Sequence, residues 1–142
     1  MKIKVMLVDD EKEFVDVLAE RLEARDFELV KAYSGEQALA RLKERDIDVA
    51  VVDVLMPGKD GVQTLREIKQ FNALIEVIML TGNATVETAV EGMKQGAFDY
   101  LMKPAETRDL VDKIAKAYKR KAEQEERIRR AEIEKIMLRR GF

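Results

Sequence analysis

An α/β fold, with a parallel sheet covered by helices on both faces, is the architecture this sequence predicts. Three observations carry the prediction. Short apolar runs alternate five times with stretches of helical period. The run Val49–Val54 is nearly continuous and rich in β-branched residues, as in a strand buried on both faces. The apolar segments are short and regularly spaced along the chain.

The elements follow in order. Ile3–Val8 reads as the first strand, and Glu13–Arg25 as a helix with Phe14, Val17, Leu18 and Leu22 at helical spacing. Phe27–Lys31 is the second strand. Gly35–Glu44 is the second helix, with Ala38, Leu39 and Leu42 on one side and Ser34 as its N-cap. Val49–Val54 forms the third strand. Met56–Gly61 holds Pro57, Gly58 and Gly61 and reads as a loop. A third helix over Val62–Gln70, a fourth strand over Ile75–Leu80, a helix over Val86–Gln95 and a fifth strand over Phe98–Met102 complete the alternation. A last helix begins near Thr107 or Arg108. No Pro or Gly follows until Gly141, so this helix is expected to exceed 30 residues.

Composition removes several chemistries. The 142 residues contain no cysteine and no histidine, so disulfides, thiolate metal sites and imidazole bases are excluded. Any metal must be a hard cation held by oxygens. The apolar N-terminal run is interrupted by Lys4 and stops at acids, and no apolar stretch approaches membrane-spanning length. The expected location is the cytoplasm. Charge is uneven: residues 113–142 carry a net +6 while the whole chain carries −2.

The stretch "VMLVDDEKEF" leads four apolar residues into Asp9, Asp10 and Glu11. Neighbouring carboxylates at about 4 Å repel by roughly 4 kcal/mol at an effective dielectric near 20. Solvent or a cation must relieve that. In an open parallel sheet, ligands bind beyond the carboxyl ends of the strands. Asp9 and Asp10 follow strand one, Asp53 lies near the end of strand three, Thr81 follows strand four and Lys103 follows strand five. Each alone reads as a solvated loop residue. Together they converge on one sheet edge, delivered by segments far apart in the chain. Three carboxylates and one ammonium leave two negative charges, which a Mg²⁺ ion neutralises. A carboxylate beside Mg²⁺ can attack phosphorus and form an aspartyl phosphate. Lys103 and the Thr81 hydroxyl would then hold the added oxygens, with Gly82 leaving the approach open.

"LVDDE", "VVDVLMPGKDG", "LTG" and "DYLMKP", in this order and spacing, resemble the receiver domain of bacterial two-component response regulators over roughly residues 1–120. The resemblance implies a flavodoxin-like sheet of five strands in the order 2-1-3-4-5. It implies Asp53 as phosphoacceptor, with Asp9, Asp10, Asp53 and the Leu55 carbonyl around Mg²⁺, and Thr81 and Lys103 on the phosphoryl oxygens. It implies a cis bond between Lys103 and Pro104, and a switch in which Thr81 moves and Tyr100 rotates inward. Leu55 and Asn83 lie where receivers tune hydrolysis. The phosphoryl donor would be a histidine kinase or phosphotransfer protein, and the output a downstream protein target. Such a chain is a signalling switch rather than an enzyme, catalysing only its own phosphorylation and dephosphorylation. "TGNATVETAVEGMKQGAFDYLMKP" resembles the receivers of enhancer-binding activators in particular, whose members carry an ATPase and a DNA-binding domain after the receiver; here a helical stretch follows instead.

Three other readings are weighed. A Mg²⁺-dependent phosphohydrolase acting through Asp53 would need a second acid two residues on, where Leu55 stands. A flavin module would need a hydroxyl- and glycine-rich loop after strand one, where three acids stand. A receiver fold that only binds partners would not need the complete acid, hydroxyl and amine set.

Residues 121–142 are read as an extension of the fifth helix. Leu110, Ile114, Ala117, Lys121, Gln124, Ile128, Ala131, Lys135 and Leu138 fit a 4-3 spacing, with three polar positions weakening any coiled coil. Residues 119–127 are expected to be solvated, since Ala122 is their only apolar residue. The leading reading is a homodimer through this helix or through the fourth and fifth helix face. Packing on a partner protein comes second. Direct DNA contact comes last, because the basic residues are interleaved with glutamates and lack aromatics.

Overall fold

The computed structural model describes residues 2–56, 58–82 and 86–141, with Val86 described by its backbone alone. Expectations placed on Pro57 and Asn83 fall outside these residues. Five strands, β1 (Lys4–Val8), β2 (Glu28–Ala32), β3 (Val49–Val52), β4 (Glu76–Thr81) and β5 (Asp99–Met102), form one sheet in the order β2-β1-β3-β4-β5. Every pairing is parallel. The strands alternate with α1 (Lys12–Glu23), α2 (Gly35–Glu44), α3 (Gly61–Phe71), α4 (Val86–Lys94) and α5 (Thr107–Arg139). The expected fold class and strand order are those observed. Among the described residues, no helix is long and apolar enough to cross a membrane.

The sheet splits the core in two because alternate strand residues point to opposite faces. On one face Met6, Val8, Ala50, Val52, Val77 and Met79 meet Ala38 and Leu42 of α2 and Leu65 and Ile68 of α3. On the other, Val5, Leu7, Val49, Val51, Ile78 and Leu80 meet Val15, Leu18 and Leu22 of α1 and Leu110, Ile114 and Ala117 of α5. Ser34 caps α2 as expected, accepting from the Gln37 N–H at 3.1 Å. Asp60 caps α3 in the same way, accepting from the Gln63 N–H at 2.8 Å.

Most element ends shift by one or two residues from the sequence reading, and three differences bear on the site and on the last helix. β3 ends at Val52 rather than Val54, because its neighbour β1 ends at Val8 and offers one last carbonyl, to the Asp53 N–H. Thr81 closes β4 instead of following it, paired with Met102 of β5. Residues 119–127 are not uniformly solvated. Arg120 forms a two-pronged pair with buried Glu76 and stacks on Phe98, and Lys121 reaches Asp48 at 3.1 Å. Glu76 and Asp48 sit at the amino ends of β4 and β3, so charge pairs tie α5 to the sheet edge opposite the acid cluster.

Candidate functional site

The carboxyl edge of the sheet is built by strand ends that stop in step. β1 and β3 finish at the paired residues Val8 and Val52, which brings Asp9 and Asp53 side by side. Both are buried, at 4% and 6% exposure, whereas Asp10 points to solvent. The Asp9 carboxylate accepts the Glu11 backbone N–H at 3.0 Å, which turns the chain into α1. Behind Asp53, the chain returns so closely that a Cβ on Gly61 would lie 2.0 Å from the Asp53 carbonyl oxygen. Only glycine permits that approach.

Lys103 directly follows β5 and precedes a cis Lys103–Pro104 bond, and its N–H is held by the Thr81 carbonyl at 2.8 Å. Its Nζ lies 2.5 Å from Asp9 Oδ2, 3.4 Å from Glu11 Oε1 and 4.0 Å from Asp53 Oδ2. The Phe14 ring lies under the same ammonium, with its centroid 4.2 Å away. Thr81 is 1% exposed, and its hydroxyl and the Leu55 backbone N–H lie close enough to the Asp53 carboxylate to favour its charged form.

Burial, and after it the negative charge of Asp9, push the Asp53 carboxyl up to about 6. Lys103, the Leu55 N–H and the Thr81 hydroxyl oppose the rise without cancelling it. Burial pulls the Lys103 ammonium down, but its hydrogen bond to Asp9 and the surrounding carboxylates outweigh this and hold it above the ordinary lysine value. The edge is therefore short of positive charge at neutral pH.

Asp9, Asp10 and Asp53 present carboxylate oxygens within 4.8 Å of one another. Octahedral Mg²⁺, with oxygens at about 2.1 Å, spreads two ligands by at most about 4.2 Å. A small side-chain movement brings the three carboxylates to that geometry, so the donor set fits a hard divalent cation in number and chemistry.

Comparison with known proteins decides what the arrangement belongs to. The family profile described as "Response regulator receiver domain" matches residues 5–115. The chain belongs to that receiver family. Among its relatives is the transcriptional regulatory protein ZraR of Salmonella typhimurium, 40% identical over 116 residues, which are 82% of this chain and 26% of that one. The transcriptional regulatory protein CpxR of Escherichia coli is 42% identical over 111 residues, 78% of this chain and 47% of that one. This receiver thus spans about a quarter to a half of the length of these relatives. Among solved structures, a response regulator receiver domain protein from Clostridium thermocellum superposes with a TM-score of 0.80 at 36% identity, covering 84% of this chain and 97% of that one.

Of the receiver residues expected from the sequence, Asp9, Asp10, Asp53, Thr81 and Lys103 are at one edge. Tyr100 stands apart from it. Its ring packs on the core face shared with α2 and α3, and its hydroxyl donates to Met102 Sδ at 3.0 Å. Leu55 turns its backbone N–H toward Asp53 closely enough to favour the charged carboxylate and leaves its side chain half exposed. Sequence reasoning missed what Glu11 and Phe14 do at Lys103. The opening motif contains both, but Phe14 fits the helical apolar spacing of Val17, Leu18 and Leu22, which does not set it apart.

Proposed function

We propose that this receiver accepts a phosphoryl group on Asp53 from the phosphohistidine of a sensor kinase or phosphotransfer protein, and thereby switches a protein-interaction surface. The observation that carries the reading is the sharing of one pocket by the buried carboxylate of Asp53, the buried Thr81 beside it and the Lys103 ammonium at 4.0 Å. A carboxylate oxygen of Asp53 attacks phosphorus, the P–N bond to the donor breaks, and its electrons remain on the imidazole nitrogen. Thr81 donates to one transferred oxygen and Lys103 pairs with another.

Asp9, Asp10, Asp53 and the Leu55 carbonyl would hold Mg²⁺, which supplies charge neutralisation along the line of transfer. Lys103, paired with Asp9 at 2.5 Å and 4.0 Å from Asp53, would turn from the first toward the phosphoryl oxygens on the second. Thr81 shifts toward the phosphoryl group, and Tyr100 turns into the space it leaves. That biases the surface made by α4, β5 and α5. Chemistry is confined to the chain's own phosphorylation and hydrolysis, because no second acid stands two residues past Asp53.

The signalling unit is residues 1–120, acting in the cytoplasm, with residues 121–142 as a helical extension. Its target is a downstream protein or a second copy of the chain. Direct contact of the extension with DNA is disfavoured by its internal pairing, since Arg129 and Arg130 both hold Glu126. That the relatives ZraR and CpxR are transcriptional regulatory proteins supports an output in transcription, reached through protein contact. The test is incubation with acetyl phosphate and Mg²⁺. A mass gain of one phosphoryl group, absent from Asp53→Asn, is expected. Sustained turnover of phosphomonoesters would overturn the switch in favour of a phosphohydrolase.

A further inference from the structure

Lys103 has to do two things in turn: neutralise Asp9 before phosphorylation and meet a phosphoryl oxygen on Asp53 afterwards. What keeps a flexible four-carbon side chain in the pocket between those tasks is not explained by the acids alone. Of its three carboxylate neighbours, Asp9 and Asp53 have buried side chains, at 5% and 7% exposure, while Glu11 is 66% exposed. Glu11 therefore draws the ammonium outward, along the same stem that Asp53 needs directed inward. Phe14 stands in α1 with its ring centroid 4.2 Å from Nζ. The ring is half-buried and packs on the core cluster formed by Val15, Leu18 and Leu80. An aromatic face at that distance attracts a cation, and more strongly when water is excluded. The Lys103 side chain is only 13% exposed.

We infer that Phe14 is a positioning residue: its ring face holds the Lys103 ammonium within reach of Asp53 against the outward pull of Glu11. The inference rests on the phosphoryl-transfer reading of the site and names a residue that reading does not use. Phe14 touches no reacting atom; it acts through Lys103. An aliphatic side chain of similar volume would fill the same space and leave the ammonium with Glu11 as its stable partner once the acid cluster is filled.

The test compares wild type, Phe14→Leu, Phe14→Tyr and Phe14→Leu combined with Glu11→Gln, each at full length. The readouts are labelling by acetyl phosphate with Mg²⁺, and NMR of the lysine ε-methylene groups without metal or donor, with Lys103 assigned through Lys103→Arg. In wild type the Lys103 ε-protons lie upfield of the other lysines through the ring current, and they do so in Phe14→Tyr but not in Phe14→Leu. Labelling of Phe14→Leu is slower by roughly threefold to tenfold, the span of one such contact. Phe14→Tyr labels like wild type, and adding Glu11→Gln to Phe14→Leu returns most of the rate. Equal rates for wild type and Phe14→Leu, a Tyr variant as slow as Leu, no recovery with Glu11→Gln, or an unshifted Lys103 resonance in wild type each overturn the inference. A wild type that takes up no phosphoryl group overturns the site reading and this inference with it. A labelled wild type with an equally fast Leu variant overturns the inference alone.

Discussion

Removing the charge of Asp53 should make the protein more stable at neutral and alkaline pH and leave it unchanged in acid. Burial and the neighbouring Asp9 raise this carboxyl from 3.8 to about 6 in the folded chain. Between those values the folded state binds more protons than the unfolded one, so stability falls as pH rises from about 4 to about 6 and stays reduced above. At about 1.36 kcal/mol per decade, holding the charge costs at most about 3 kcal/mol. Asn removes that cost but offers one acceptor fewer to the Leu55 N–H and the Thr81 hydroxyl, a loss of about 1 kcal/mol. The net gain for Asp53→Asn at pH 8 is about 1–2 kcal/mol, or about 4–6 °C in Tm for a chain of this size. The assay is thermal unfolding followed by circular dichroism, with a chelator present, at pH 8 and pH 4. At pH 4 wild type carries a neutral acid and the difference vanishes. An Asn variant no more stable than wild type at pH 8, or equally stabilised at both pH values, would refute the reasoning.

Three further outcomes are expected. Thr81→Ala leaves phosphoryl labelling measurable, but the shift of Tyr100 ring resonances on adding fluoroberyllate is weakened; a full shift would show that Thr81 is not the link. Gly61→Ala, whose Cβ would meet the Asp53 carbonyl oxygen at 2.0 Å and Val54 Cα at 2.6 Å, costs about 2–3 kcal/mol in denaturant unfolding and slows labelling, because the backbone carrying Asp53 must move. Arg120→Ala leaves buried Glu76 with Lys69 at 3.3 Å as its remaining partner. It lowers stability by about 1–2 kcal/mol, discounted from the buried-pair range because Arg120 is half exposed, and leaves labelling at the distant edge unchanged.

The alternation of strand and helix was legible because the apolar runs are short and their period switches cleanly; Val49–Val52 and Ile78–Leu80 could be little else. The acid cluster was legible for a related reason. Topology alone sends the carboxyl ends of β1, β3, β4 and β5, and the residues just past them, to one edge, so residue type there carries the chemistry. What escaped was contact made by side-chain reach. Nothing in the spacing of Phe14 separates a core position from a ring under an ammonium, since both lie on the inward side of α1. Glu76 and Arg120 are 44 residues apart, and a glutamate among the apolar residues of β4 gives no hint of its partner. The strand boundaries at Val52 and Thr81 depend on where the neighbouring strand stops, which no local pattern encodes.

The fifth helix shows how one periodic pattern can serve two ends. Leu110, Ile114 and Ala117 begin the 4-3 line, and all three are buried against α1 and the sheet. They are spent on the receiver's own core and are not free for a second chain. Lys121 continues the line as an anchor to Asp48. Beyond it the same line offers Ile128, 42% exposed, Ala131 and Leu138, 75% exposed. Ile133, Ile136 and Met137 are 45%, 49% and 50% exposed, and their three- and four-residue spacing puts them together on the other side of the helix. A partner that covered either face would therefore pack on residues the receiver's own core does not use, so binding along residues 128–138 and packing of Leu110, Ile114 and Ala117 are separable by mutation.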